Sequence, residues 1–340
     1  MSNERVISEW LKLSERTRLN IFEETARRVG LPNAAAVEKD WWVVRTLDLV
    51  FASTIAPHTV FKGGTSLSKA WGLIDRFSED IDLALDRRFL GFDREDKDMN
   101  NSQVSRLRKH SSRFISEQLF PEMQTKFAEA GFADIEVRLG DIRKTDDDPL
   151  TIEIHYPPVT DKIEYILPQV LIEIGSRSLI EPHTARNFSS LVGEQFRGSP
   201  FADENIPIPT VNPERTFLEK IFLLHETFQA ENDGSKIERK SRHLYDLEKL
   251  MDTEFASSAL KDKVLYATIV EHRMKLTPVR GIDYANHAPD KINPIPPDDI
   301  IGEWERDYKV MQGSLLLSTS LPFGKLIDRM YELKARINSI

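Results

Sequence analysis

Residues 80–86 read DIDLALD, and in this stretch Ile81, Leu83 and Leu85 fall on one parity while Asp80 and Asp82 fall on the other. Successive side chains of a β-strand point to opposite faces, so this pattern predicts a strand with one face in a core and two carboxylates side by side on the other. Two carboxylates held that close repel each other, and a divalent cation is the usual remedy. Magnesium suits such a pair, because it takes one or two carboxylates and completes its shell with substrate phosphates. Asp-x-Asp by itself is more often a solvated strand face, so its weight depends on its neighbours.

Those neighbours are informative. HTVFKGG, residues 58–64, predicts a short strand entering a glycine turn, and SLSKAWGLI, residues 66–74, predicts a helix. Gly63 and Gly64 let the backbone approach a ligand closely and adopt positive φ. Thr65 and Ser66 are placed to cap the helix and direct its first amides at an anion. Lys69 stands about one turn further on, within reach of a phosphate. A glycine–hydroxyl turn, a helix and a strand bearing Asp-x-Asp together are far more specific than any one of them. A two-metal site also needs a third acid. Glu173 in VLIEIG is the first candidate, and Glu153 in LTIEIHY has the same pattern, so spacing leaves both open. The plain alternative for each is a strand position facing water.

Elsewhere the chain reads as helices at 14–30 and 33–53, a long amphipathic stretch at 102–131, and strands at DIEVRL, LTIEIHY and QVLIEIG. Residues 198–213, rich in proline and polar groups, look like an interdomain linker. Beyond them the pattern is mostly helical, apart from the proline-rich 281–299. Asn212 and Pro213 are good first residues for a helix whose apolar stripe is Phe217, Ile221, Leu224 and Phe228. Lys220 lies at the edge of that stripe, either beside a cleft or snorkelling over apolar surface. In SRHLYDLEKLMD, Arg242 and Asp246 are spaced for an ordinary ion pair on the polar side.

Composition closes off several alternatives. There are no cysteines among the 340 residues, so thiolate chemistry and disulfides are excluded. The histidines are scattered without the spacing of a zinc site. A net charge of −9 argues against a general grip on nucleic acid, leaving only local patches. Two exist: residues 106–113, RLRKHSSR, and the cluster Lys236, Arg239, Lys240 and Arg242. No apolar run is long enough to span a membrane and the N-terminus lacks a signal-like apolar core, so a cytoplasmic protein with no membrane association is expected.

The run VFKGGTSLSKAWGLIDRFSEDIDLAL resembles the AbiEii/AbiGii toxin family of the DNA polymerase β-like nucleotidyltransferase superfamily. VEKDWWV, LIEIGSRSLIEP, PERTFLEKIFLLHE, SRHLYDLEKLM, WERDYKVMQ and LPFGKLID extend the resemblance from about residue 30 to the C-terminus. It implies an α+β fold: a nucleotidyltransferase core with a small mixed sheet flanked by helices over residues 1–205, then a mostly helical C-terminal domain over 206–340. It implies a magnesium-dependent enzyme that moves a nucleoside monophosphate from an NTP to an acceptor hydroxyl and releases pyrophosphate. Asp80, Asp82 and Glu173 would serve the metals, and Gly63, Gly64, Thr65, Ser66 and Lys69 the phosphates. A lysine on the first C-terminal helix and an aspartate on the second match Lys220 and Asp246 and would complete the active site. The family supplies toxins of type IV toxin–antitoxin and abortive-infection systems, which implies a cognate antitoxin and tRNA 3′ ends as the first acceptor to test. Protein nucleotidylation, a small-molecule acceptor such as an aminoglycoside, and an inactive binding protein on the same fold are the rival readings.

Overall fold

The computed structural model describes residues 3–78, 80–163, 166–230, 237–314, 316 and 319–340. In chain order its helices are α1 (Asn3–Leu11), α2 (Glu15–Val29), α3 (Ala34–Val50), α4 (Gly63–Lys69), α5 (Asn101–Phe114), α6 (Phe120–Glu129), α7 (Leu191–Gln195), α8 (Pro213–Gln229), α9 (Arg242–Leu250), α10 (Glu254–Lys261), α11 (Lys263–Leu276), α12 (Ile301–Ser314) and α13 (Phe323–Asn338). The strands are β1 (Thr59–Lys62), β2 (Asp80–Leu85), β3 (Glu136–Leu139), β4 (Leu150–His155), β5 (Gln169–Gly175), β6 (His183–Phe188) and β7 (Ile206–Val211). The fold is α+β, with a mixed sheet flanked by helices and a helical C-terminal region. Two compact units result: Met1–Ala70, Phe77–Asp93 and Ser102–Thr210 form the first, and Trp71–Arg76, Arg94–Asn101 and Val211–Ile340 the second.

The first unit is built on a seven-stranded sheet of order β3-β4-β5-β2-β1-β7-β6. β2 runs parallel to β5 and antiparallel to β1, and β4 runs antiparallel to β5. One face carries Phe61, Ile81, Leu83, Ile172, Ile174, Ile152 and Ile154, all buried. Helix α3 packs against β5 and β2. It is capped by Asn33, whose side chain accepts from Ala36 N at 2.9 Å, and it buries Trp41, Val44 and Leu47 completely. Its charged residues Glu38, Lys39, Asp40 and Arg45 are buried too, and each has a partner. Glu38 accepts from Val159 N (2.9 Å) and Thr160 Oγ1 (2.5 Å), Lys39 donates to Leu167 O (3.0 Å), and Arg45 meets Asp203 (3.2 Å). A buried charge is tolerable only with such partners.

One sequence expectation changes. Residues 206–211 are not linker but strand β7, paired beside β1 through Phe61 and Thr210. Ile206, Ile208 and Thr210 are buried on one parity, and the two prolines occupy the other. The prolines masked a period-2 pattern because proline lacks a ladder donor. The 102–131 stretch is one helical run whose turn widens at Ile115–Leu119, just before Pro121, where a proline would otherwise break the ladder.

In the second unit the proline-rich 281–299 is held by α8. His225 is 2% exposed; its Nδ1 accepts from Asn293 N at 3.0 Å, and its Nε2 donates to Asn286 O at 2.9 Å. Glu226 meanwhile pairs with Arg273 and lies 3.0 Å from His287 Nε2. Burial, reinforced by the neighbouring His287, pushes the His225 pKa down to about 4 from 6.5. The unfolded chain therefore binds a proton in that window that the folded chain refuses, so stability falls as pH drops from 6.5 towards 4. The His225 contribution to that loss is roughly 2–3 kcal/mol at most. Thermal midpoints followed from pH 7 to pH 4 should show the fall, and His225→Gln, which keeps an acceptor and a donor, should show a shallower one. Equal slopes in the two proteins would remove His225 from the account.

Candidate active site

On the sheet face opposite α3, the register aligns polar residues across neighbouring strands. Lys62 pairs with Asp82, Asp82 with Glu173, and Glu173 with Thr151. One step along, Asp80 pairs with Leu171, and Leu171 with Glu153. Asp80, Asp82 and Glu173 therefore share one face, with Glu173 on the strand adjacent to Asp82. Glu153 lies one strand further out and has its own partner, His155 Nε2 at 2.8 Å. Register thus separates the two acids that spacing left equivalent. Among the described residues, no group of three or more His, Asp and Glu side chains is set to hold a metal ion by itself.

The glycine turn meets this face at the Asp82 side chain. Gly63 has φ +80°, and a Cβ built there would lie 1.9 Å from Asp82 Oδ2 and 3.0 Å from Asp82 Cβ. Only glycine allows both the backbone angle and the approach. The Asp82 carboxylate consequently sits against the start of α4. A magnesium ion that takes one or two carboxylates and fills its shell with nucleotide oxygens fits this donor set.

The hydroxyls of the turn do something other than the capping expected of them. Helix α4 begins at Gly63, so Thr65 and Ser66 lie inside it and are buried. Thr65 Oγ1 donates to Asp80 O at 2.5 Å and lies 2.9 Å from Ser78 Oγ, whose hydroxyl it can accept, while Ser66 Oγ donates to Gly63 O at 2.9 Å. Thr65 thus ties the turn to the first residue of β2, and Ser66 braces the turn itself. Lys69 Nζ is 2.6 Å from Asp40 Oδ1, with the lysine side chain 14% exposed. Its immediate partner is a carboxylate on α3, whose other oxygen accepts from Leu191 N at 2.7 Å.

The second unit contains a separate charged cluster. Asp246 is wholly buried, not on a polar face as its spacing from Arg242 suggested. Arg76 grips it through Nε–Oδ1 at 2.6 Å and Nη2–Oδ2 at 2.9 Å, and Lys220 Nζ reaches Oδ2 at 2.8 Å. His243 Nδ1 lies 3.3 Å from the same Nζ. Burial opposes ionisation of Asp246, but Arg76 and Lys220 outweigh it and hold the carboxyl far below its usual range. Burial, aided by the charge of Arg76, lowers the Lys220 pKa despite Asp246. Burial and Lys220 keep His243 neutral, its pKa well below 6.5. Lys220 is thus neither at a stripe edge nor snorkelling; it is anchored. Arg76 and His243 had no visible signal, because neither falls on an interpretable spacing from Lys220.

Of the two basic patches, residues 106–113 lie on α5. Arg108 pairs with Asp146 (3.3 Å) and Arg113 with Glu117 (2.9 Å), whereas Arg106 and Lys109 are exposed. In the other, Lys236 lies outside the described residues, and the Arg239 and Ser241 amides donate to Asp307. No helix among the described residues is long and apolar enough to cross a membrane.

A family model for the nucleotidyl transferase AbiEii toxin of type IV toxin–antitoxin systems matches residues 47–330. Among solved structures the chain is similar to MenT4, a nucleotidyltransferase toxin from Mycobacterium tuberculosis, at 18% identity over 94% of this chain and 98% of that one, with a TM-score of 0.42. It is also similar to JHP933 from Helicobacter pylori, at 18% identity over 96% and 94% of the two chains, with a TM-score of 0.35. A comparison with curated proteins found no match. The family model spans most of the chain, from the end of α3 through the first half of α13, and so takes in both the acidic sheet face and the Lys220–Asp246 cluster: this protein belongs to the AbiEii family of nucleotidyltransferase toxins of type IV toxin–antitoxin systems.

Proposed function

We propose that this nucleotidyltransferase uses magnesium to move a nucleoside monophosphate from an NTP onto a hydroxyl at the 3′ end of tRNA. The observation that supports the chemistry is the sheet register that sets Asp80, Asp82 and Glu173 on one face, with Gly63 against Asp82. Asp80 and Asp82 would hold magnesium, which supplies Lewis-acid stabilisation of the phosphoryl oxygens. Glu173, in register with Asp82, would complete the site as a further ligand or accept the proton of the attacking hydroxyl. The Gly63–Ser66 turn would receive phosphate oxygens on backbone amides, since the Thr65 and Ser66 hydroxyls are committed elsewhere. Lys220 would contribute a positive charge to the triphosphate, with Asp246 orienting its amine. Lys69 would act at one remove, by fixing α4 through Asp40. The acceptor oxygen attacks the α-phosphorus, its proton passes to a carboxylate, and pyrophosphate leaves. Such catalysis is mostly positioning and electrostatics.

The tRNA assignment draws on the family resemblance and on Arg106 and Lys109, the exposed pair on α5. Its cognate antitoxin would be the protein's regulatory partner, as the family implies. Incubating the purified chain with magnesium, each labelled NTP and total cellular RNA plus protein extract tests the acceptor directly. Label in tRNA supports the proposal; label confined to protein or to small molecules contradicts the acceptor and leaves the transferase standing. RNA labelling should also weaken steeply with salt, because each phosphate contact releases counterions. Arg106→Gln with Lys109→Gln should lower that salt slope by about 2, and an unchanged slope would place the RNA elsewhere.

Gly63→Ala gives a test of the turn. It forces a side chain into positive φ at a cost of about 1–3 kcal/mol and pushes Asp82 from its place. Transfer should be lost at temperatures where circular dichroism still reports a folded chain. Transfer at the wild-type rate would show that the turn and Asp82 do not act together.

A further inference from the structure

We propose that Arg76 is a positioning residue for the reaction, fixing the Lys220 ammonium through the shared carboxylate of Asp246. This inference rests on the reading that Lys220 meets the nucleotide's phosphates.

Three distances define the device. Arg76 engages Asp246 as a fork, Nε to Oδ1 at 2.6 Å and Nη2 to Oδ2 at 2.9 Å, and Lys220 Nζ takes Oδ2 at 2.8 Å. A carboxylate bound at one oxygen can rotate about its Cβ–Cγ bond; one gripped at both oxygens by a planar guanidinium cannot. The oxygen that Lys220 uses is therefore fixed by Arg76. On its other side the ammonium meets His243 Nδ1 at 3.3 Å. An ammonium only donates, so Nδ1 is the acceptor and the imidazole proton sits on Nε2. Two of the three Lys220 N–H bonds are thereby directed, and the direction of the third follows from them.

Burial holds the set together. Arg76 is 2% exposed, Asp246 0% and Lys220 6%. Removing one member of such a buried set leaves an uncompensated charge, so the three side chains keep one another in place. Arg76 reaches this core from Trp71–Arg76, the short segment of the second unit that separates the glycine turn from β2 in sequence. A bridge between Arg76 and Leu316 holds its backbone.

The experiment is a coupling cycle on nucleotide binding, with thermal midpoints recorded for every protein. Equilibrium dialysis gives the dissociation constant of each of the four magnesium–NTPs for wild type, Lys220→Ala, Arg76→Lys and the double variant. Arg76→Lys keeps the charge and loses the fork. If Arg76 acts through Lys220, each single variant weakens binding by about tenfold, which is 1.4 kcal/mol, and the double is no weaker than Lys220→Ala. A double variant weakened by the product of the two single effects would show that Arg76 acts elsewhere, as independent sites add. Wild-type affinity in Arg76→Lys would also overturn the proposal. Wild-type affinity in Lys220→Ala would instead sink the underlying reading of Lys220, and with it the role given to Arg76. Should Arg76→Lys fail to fold, Asp246→Asn is compared with Arg76→Gln/Asp246→Asn, a pair free of an uncompensated buried carboxylate. Equal affinities in that pair are expected, and a further loss in the double variant contradicts the proposal.

Discussion

The pairing of β2 with β1 on one side and β5 on the other is the constraint on which the first unit depends. Because the register sets Asp82 beside both Lys62 and Glu173, the same pairing buries Ile81 and Leu83 beside Phe61, Ile172 and Ile174. A slip of β2 by one residue would exchange its faces, driving Asp80 and Asp82 into the core and Ile81, Leu83 and Leu85 into water. Burial of each large apolar side chain is worth about 1.5–3 kcal/mol, so the core enforces the acid geometry without any contact to the acids themselves. Gly63 and Thr65 then add the turn to the same frame, one by fitting against Asp82 and the other by bonding Asp80 O.

Buried charge is used in two ways in this chain. On α3, Glu38, Lys39, Asp40 and Arg45 are each matched by a specific partner and serve to lock helices and loops onto the helix. Around Asp246, Arg76 and Lys220 share one carboxylate, with a neutral histidine alongside. Removing one partner from a buried pair commonly costs 3–5 kcal/mol, so both sets are costly to disturb.

Legibility in the sequence followed the range of the interactions. The period-2 run of β2 and the helices read at 14–30 and 33–53 are local signals, and the structure has each within about three residues of where the sequence put it. Strands β4 and β5 were legible for the same reason. Strand β7 was not, because Pro207 and Pro209 on its outward parity resemble a linker more than an alternating strand. The burial of Asp246 was also hidden: its spacing from Arg242 has a sufficient local explanation, while its actual partner, Arg76, is 170 residues away in sequence. The Lys69–Asp40 pair was hidden for a similar reason, since spacing along a helix says nothing about an acid on α3. Which of Glu173 and Glu153 lies beside Asp82 depends on which strand neighbours β2, a fact of topology that neither pattern contains.

The central claim is that the acidic face of β2 carries the transfer chemistry. Its most direct measurement is the transfer rate of Asp82→Asn alongside its thermal midpoint. Asparagine keeps the shape and removes one charge from a like-charged face, so the midpoint should hold or rise. The rate should fall by at least about a hundredfold, as when a single electrostatic contact to the transition state is removed. A wild-type rate in a folded Asp82→Asn protein would contradict the account.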